Sequence, residues 1–186
     1  MMLHPARQTT ERDDETLPIG VVRRPLELLA DDRGSFTEIF RRSWPIGVEP
    51  LQWGLLQSGT GVLRGVHVHP RHDEFILVAA GTMLLGIKDL RPDSPSFGLS
   101  ALVALSGERP ELVTLPQGVA HGFYHATDTS MLLAASHYYD PADDFGCHWA
   151  DPELGIAWPV RNPELSERDR TAPPLAELMA ALARRR

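Results

Sequence analysis

Four residues of this chain have the types and spacing for metal-centred chemistry: His67, His69, Glu74 and His121. Residues two apart on a β-strand point to one face, so His67 and His69 project together. The stretch Pro70-Arg71-His72-Asp73 carries a turn signal, and Glu74 then opens a returning strand beside them. His121 ends the segment Pro116-Gln117-Gly118-Val119-Ala120-His121 and offers a third imidazole. Three neutral imidazoles and a carboxylate suit Zn, Fe, Mn, Ni or Cu and leave coordination positions open for a substrate. The expected cofactor is therefore a divalent metal ion held by His67, His69, Glu74 and His121. The plain alternative makes His69 a polar wall residue of a ligand pocket and pairs Glu74 with Arg64 or Arg71. A buried carboxylate is costly without some partner, so either reading requires one.

The elements that must position these side chains are short strands. Between residues 19 and 139, runs of apolar and β-branched residues are broken by turn signals about every eight to twelve residues. Strands are expected over residues 21–29, 35–40, 51–57, 62–69, 74–80, 83–90, 99–105, 111–115, 122–125 and 131–139. Asp31-Asp32-Arg33-Gly34 makes the first hairpin turn, and Arg91-Pro92-Asp93-Ser94-Pro95 a loop. This pattern predicts an all-β sandwich or barrel. Residues 141–163 read as irregular and pack Trp149 and Trp158. Residues 174–183 form a short amphipathic helix, followed by Arg184-Arg185-Arg186, where positive charge suits a helix C-terminus. Residues 1–18 are polar and charged and are expected to be a mobile arm, with residues 19–186 a single domain.

The chain has 186 residues, enough for one sizeable core. Its formal net charge of −7 argues against nonspecific nucleic-acid binding. The single cysteine, Cys147, excludes an intrachain disulfide and points to a reducing, cytoplasmic setting with an inert thiol. No stretch is apolar enough for a signal peptide or a membrane span, so no membrane partner is expected.

The segment from Gly61 to Gly81 reads G-x5-H-x-H-x4-E-x6-G, and Pro116 to His121 reads P-x-G-x-x-H. Both resemble the two motifs of the cupin superfamily. That resemblance implies a double-stranded β-helix, or jelly-roll barrel, with a short C-terminal helix. The chain further resembles the dTDP-4-dehydrorhamnose 3,5-epimerase family in DDRGSFTEIF, GVLRGVH, DLRPDSPSFG, LPQGVAHGF, YYDP, WADPELGIAWP and LSERD. The resemblance implies an isomerase that moves protons next to the ketone of a dTDP-4-keto-6-deoxy sugar. It places His67 at the catalytic base and Asp169 at the carboxylate that orients it. It implies that Arg33, Glu38, Gln52, Arg64, His121 and Tyr139 bind the nucleotide sugar, and that two chains pair as a homodimer through exchanged N-terminal strands.

Two positions depart from that family. Its enolate-stabilising lysine aligns with Glu74, and its acidic tyrosine with Leu133. A glutamate brings no positive charge to an enolate, and a leucine delivers no proton. His69 and Glu74 together complete a metal set, so a divalent ion is expected to take the lysine's role as Lewis acid. With His67 as a ligand, the proton would fall to another group such as His125, His72 or a metal-bound water. Two other readings stand beside this one. One is a metal-dependent cupin of different chemistry, an oxygenase or another isomerase; the other is a noncatalytic module that holds a nucleotide sugar.

Overall fold

A computed structural model describes residues 16–47 and 49–185. Most of the expected arm, residues 1–15, lies outside the described residues. In chain order the strands are β1 (Val22–Pro25), β2 (Leu28–Asp31), β3 (Gly34–Thr37), β4 (Gln52–Ser58), β5 (Leu63–Val68) and β6 (Glu74–Ala80). They continue with β7 (Thr82–Asp89), β8 (Ser100–Ser106), β9 (Glu111–Leu115), β10 (Val119–His125), β11 (Thr129–Ala135) and β12 (Phe145–Gly146). Two helices follow, α1 (Glu167–Arg170) and α2 (Leu175–Ala183). None of the described helices is long and apolar enough to cross a membrane.

The strands form two five-stranded antiparallel sheets, β1-β9-β6-β11-β4 and β12-β5-β10-β7-β8, with β2-β3 as a separate hairpin. This is the expected jelly roll. Its core is built by alternation. Ile76 and Val78 of β6, Val113 and Leu115 of β9 and Met131 of β11 meet Met83, Leu85 and Ile87 of β7, Val103 and Leu105 of β8 and Phe123 of β10. A second cluster lies under the C-terminal segment. There Trp149, Leu154, Leu175 and Leu178 cover Leu63, Val66 and Val68 of β5. Trp158 lies so close to Gly86 that an added Cβ would meet its ring at 2.5 Å. Both tryptophans are thus packing residues, as their surroundings in the sequence suggest.

Several boundaries differ from expectation for identifiable reasons. The run 21–29 is two strands: Leu26 N–H donates to the Pro110 carbonyl at 2.9 Å, and Pro110, having no N–H, cannot return the bond, so the β9 ladder ends there. The chain then enters the β2-β3 hairpin, where Gly34 takes a φ of +138°. The run 131–139 ends at Ala135. Ser136 still keeps the β6 register, its N–H donating to the Asp73 carbonyl at 3.0 Å and its Oγ accepting from Asp73 N–H at 2.9 Å, and the pairing goes no further among the described residues. Tyr138 and Tyr139 therefore lie beyond the strand, both exposed. LSERD contains α1, which the sequence pattern missed. Ser166 caps it, accepting the Asp169 N–H at 3.1 Å.

Candidate active site

A cavity of about 270 Å³ opens between the two sheets. Arg64 and His67 both line it although they are three residues apart on β5. A regular strand would put them on opposite faces. The ladder slips between His121/His67 and Gly122/Gly65, leaving Val66 as an extra residue, and this bulge turns both side chains inward. His121 pairs directly with His67 across β10 and β5. Glu74 enters from the facing sheet at the start of β6, and Leu56 of β4 and Leu133 of β11 form the rest of that wall.

Three of the four expected ligands converge. One donor atom each from His69, Glu74 and His121 lies within 4.8 Å of the others. His69 Nε2 is 3.4 Å from Glu74 Oε1, and His121 Nε2 is 2.9 Å from Glu74 Oε2. The other ring nitrogens face backbone carbonyls: His69 Nδ1 is 3.2 Å from the Asp143 oxygen and His121 Nδ1 is 3.4 Å from the Val119 oxygen. A carbonyl only accepts, so both rings carry hydrogen on Nδ1 and turn Nε2 toward the carboxylate. Two lone pairs facing a carboxylate need a cation between them, either a proton or a metal. Glu74 Oε2 is buried and receives no hydrogen bond. Burial opposes the Glu74 charge, yet His121, then His69 and His72, hold its pKa down to about 2. Burial likewise opposes charge on His121, and Glu74 outweighs it, raising the ring above its usual value. Burial pushes His69 down to about 4 against the pull of Glu74.

His67 is not part of this cluster, which corrects the expected four-ligand set to three. Its Nε2 bonds Asp169 Oδ1 at 2.7 Å. The other carboxylate oxygen, Oδ2, accepts the Ser166 hydroxyl at 2.9 Å. Burial opposes the Asp169 charge, but His67 and Ser166 hold its pKa below the usual carboxylate range. The carboxylate fixes the ring with hydrogen on Nε2 and leaves Nδ1 as the nitrogen able to take a proton.

The plain alternative for Glu74 does not hold. Arg71 is drawn to Asp140 and to Asp143, 3.2 Å away, and Arg64 donates to Ser58 Oγ at 2.8 Å. Glu74 is instead surrounded by imidazoles, and one of them, His72, was expected only in a turn or as a proton carrier. His72 Nδ1 bonds Asp143 Oδ2 at 2.9 Å, and its ring stacks on His69 with centroids 4.2 Å apart. The signal was a third histidine just before Glu74, read as part of a turn. Arg168 and Asp144 were also missed. They line the cavity as a bidentate pair at 2.6 and 2.7 Å. His125, a candidate proton carrier, does not line the cavity. It is fully buried, neither ring nitrogen has a hydrogen-bond partner, and burial, then Arg64, push it down to about 4.

Of the expected sugar-nucleotide residues, Arg64 and His121 line the cavity. Arg33, Glu38, Gln52 and Tyr139 stand outside it. The Arg33 side chain is 89% exposed and pairs with Asp31 at 2.6 Å, and Glu38 pairs with Arg41 at 2.8 Å. Gln52 Oε1 accepts the Tyr139 N–H at 2.8 Å. Cys147 is buried and pushed up to about 12, an inert thiol as expected.

A jelly-roll barrel with a carboxylate-held histidine and an imidazole cluster in its cavity defines a cupin. Comparison with known proteins narrows this. The family model for dTDP-4-dehydrorhamnose 3,5-epimerase matches residues 17–177. A dTDP-4-dehydrorhamnose 3-epimerase from Streptomyces niveus is 37% identical over 168 residues, covering 85% of this chain and 81% of the relative. Among solved structures, a 4-keto-6-deoxy sugar epimerase from the novobiocin gene cluster of Streptomyces spheroides superposes with a TM-score of 0.82 at 31% identity, covering 95% of both chains. A 3,5-epimerase from Legionella pneumophila in complex with dTDP-4-keto-L-rhamnose gives a TM-score of 0.83 at 31% identity, covering 90% of this chain and 94% of the other. The chain belongs to the dTDP-4-dehydrorhamnose 3,5-epimerase family.

Proposed function

We propose that this protein is an isomerase of a dTDP-4-keto-6-deoxy sugar that moves a proton next to the ketone, with a divalent metal ion in place of a cationic side chain. The observation that carries the reading is the division of one cavity into two sites. His67, oriented by Asp169, is a proton acceptor. His69, Glu74 and His121 are a separate electron-pair-donor set in need of a cation. Proton removal beside a ketone places negative charge on its oxygen, which must be met by positive charge or donors. When bound, the ion supplies that as a Lewis acid. Its donors would be His69 Nε2, His121 Nε2 and the Glu74 carboxylate, with Asp143 and Val119 carbonyls orienting the rings.

The remaining steps belong to the chain. His67 Nδ1 takes the carbon-bound proton, and Asp169 stabilises the imidazolium that results. Arg64, anchored by Ser58, offers its guanidinium to the diphosphate. A cavity of about 270 Å³ suits a sugar ring more than a whole nucleotide sugar. The nucleotide then lies outside it, where Arg33, Glu38, Gln52 and Tyr139 are exposed. The assembly proposed is a homodimer. Its support is the exposed apolar row Leu51, Trp53 and Leu55 at edge strand β4, with Phe36 on the hairpin.

The test is incubation with dTDP-4-dehydro-6-deoxyglucose in deuterated water, followed by NMR, alongside elemental analysis of the purified protein. Solvent exchange at a carbon next to the ketone, with close to one metal per chain, is the expected result. Nucleotide binding without exchange would leave a noncatalytic module. Exchange in metal-free protein would remove the ion from the mechanism.

A further inference from the structure

The two walls of the cavity differ in what they can do with a proton. Arg64, His67, His121 and Phe123 come from β5 and β10. Asp169 and Arg168 come from α1, which packs against β5, and Asp144 immediately precedes β12, which pairs with β5. Among the described residues, the facing wall offers Leu56, Leu133 and a single ionisable group, Glu74. Glu74 is a carboxylate already engaged by two imidazoles and has no proton to give.

Inverting a carbon requires removal of hydrogen from one face and delivery to the other. The second delivery needs an acid on the far wall, and this cavity has leucines there. From this we infer that the protein transposes the ketone from C4 to C3 of the sugar instead of inverting C3 or C5. The inference rests on the function proposed above and names the outcome of the same site.

The atoms balance without an oxidant or a co-reactant. His67 removes hydrogen from C3, whose hydroxyl stands beside the C4 ketone, and the electron pair moves to give an enediolate across C3 and C4. Return of that proton by the same ring to C3 regenerates substrate. Return to C4 from the same face forms a C4–H bond and leaves a ketone at C3, while the hydroxyl proton passes from O3 to O4. One C–H bond breaks and one forms. One C=O becomes a hydroxyl and one hydroxyl becomes C=O. C5 carries no hydroxyl, so hydrogen removed there can only come back to C5. A single base on one wall therefore has one productive outcome, at C4.

The experiment uses dTDP-4-dehydro-6-deoxyglucose bearing deuterium at C3, the full-length protein loaded with one divalent metal, and NMR of the products. Calorimetric titration with the same compound runs in parallel. The expected product is the 3-keto sugar, with part of the deuterium carried to C4 by the shared base. A 4-keto product inverted at C3 or C5, formed by protein that binds the compound, overturns the transposition and leaves the isomerase assignment standing. Binding with no chemistry, or no binding, overturns the proposed function and this inference with it.

Discussion

His67 and His69 sit two residues apart and face the same cavity, yet their partners give them opposite work. His67 meets a carboxylate from α1, more than a hundred residues away in the chain, at 2.7 Å. That contact fixes which nitrogen is free. His69 is pushed down to about 4 by burial and lies against Glu74, with its Nδ1 hydrogen tied to a carbonyl. On the function proposed, the first environment suits a base and the second an electron-pair donor. Strand periodicity puts both side chains on one face, but it is the partner from a distant element that decides which can hold an ion and which can move a proton.

The sharpest way to break this division is to remove the base. His67→Asn is expected to lower the exchange rate by about 10²–10⁴-fold, the range for a general base, with metal content unchanged. Loss of metal in that variant would return His67 to the ligand set and dissolve the distinction. Asp169→Asn keeps the ring but removes its orienting charge, and a fall of about 10–100-fold is expected, with nucleotide affinity retained.

The other half of the comparison is read through stability. If the ion is present at about a hundred times its dissociation constant, its binding contributes about 2.7 kcal/mol. For a chain of this size that corresponds to about 5–10 °C in Tm. Chelation with EDTA should lower Tm by that amount, and Glu74→Gln should abolish the response. An EDTA-insensitive Tm in metal-loaded protein would mean that protons, and not a metal, satisfy the cluster.

How far the sequence reveals this arrangement depends on whether the signal is local. Strands 74–80 and 111–115 are read to the residue, because Gly81 and Pro116 punctuate clear apolar runs. The approach of His69 to Glu74 follows from period-two geometry and one turn, but the same period also enlists His67, which the structure leaves out of the cluster. The end of β11 is tied off by Ser136 bonding Asp73, a contact between segments that no window of sequence contains. The Val66 bulge is equally silent, because a two-residue period assumes a regular ladder. It is this bulge that lets Arg64 join His67 in the cavity. His72 resembles a turn residue until Asp143 and His69 are seen around it. Residues matched to the family by alignment, such as Arg33 and Glu38, carry no statement about which cavity they reach within one chain.

The smallest expected effect comes from a histidine on neither side of the division. His125 ends β10, is fully buried with both ring nitrogens unpartnered, and titrates at about 4 in the folded chain against an ordinary 6.5. The unfolded state therefore takes up its proton first as pH falls. Stability from a neutral His125 is fully present above 6.5, declines as pH drops below it, and is exhausted near 4. At pH 4.5 the loss from this one ring is about 2 kcal/mol. His125→Phe should leave stability at pH 7.5 within about 1–2 kcal/mol of the parent, since the ring nitrogens have no hydrogen bond to lose and the new ring is similar in size. It should then flatten the acid limb of a urea-denaturation series between pH 7 and 4.5 by about that 2 kcal/mol. The same series separates this ring from His69, whose depressed pKa gives a fall of the same sign but sits in the cluster a metal would hold neutral. If His125→Phe leaves the acid limb unchanged in metal-loaded protein, the buried ring finds a partner in solution, and the fall belongs to the cluster around Glu74 instead.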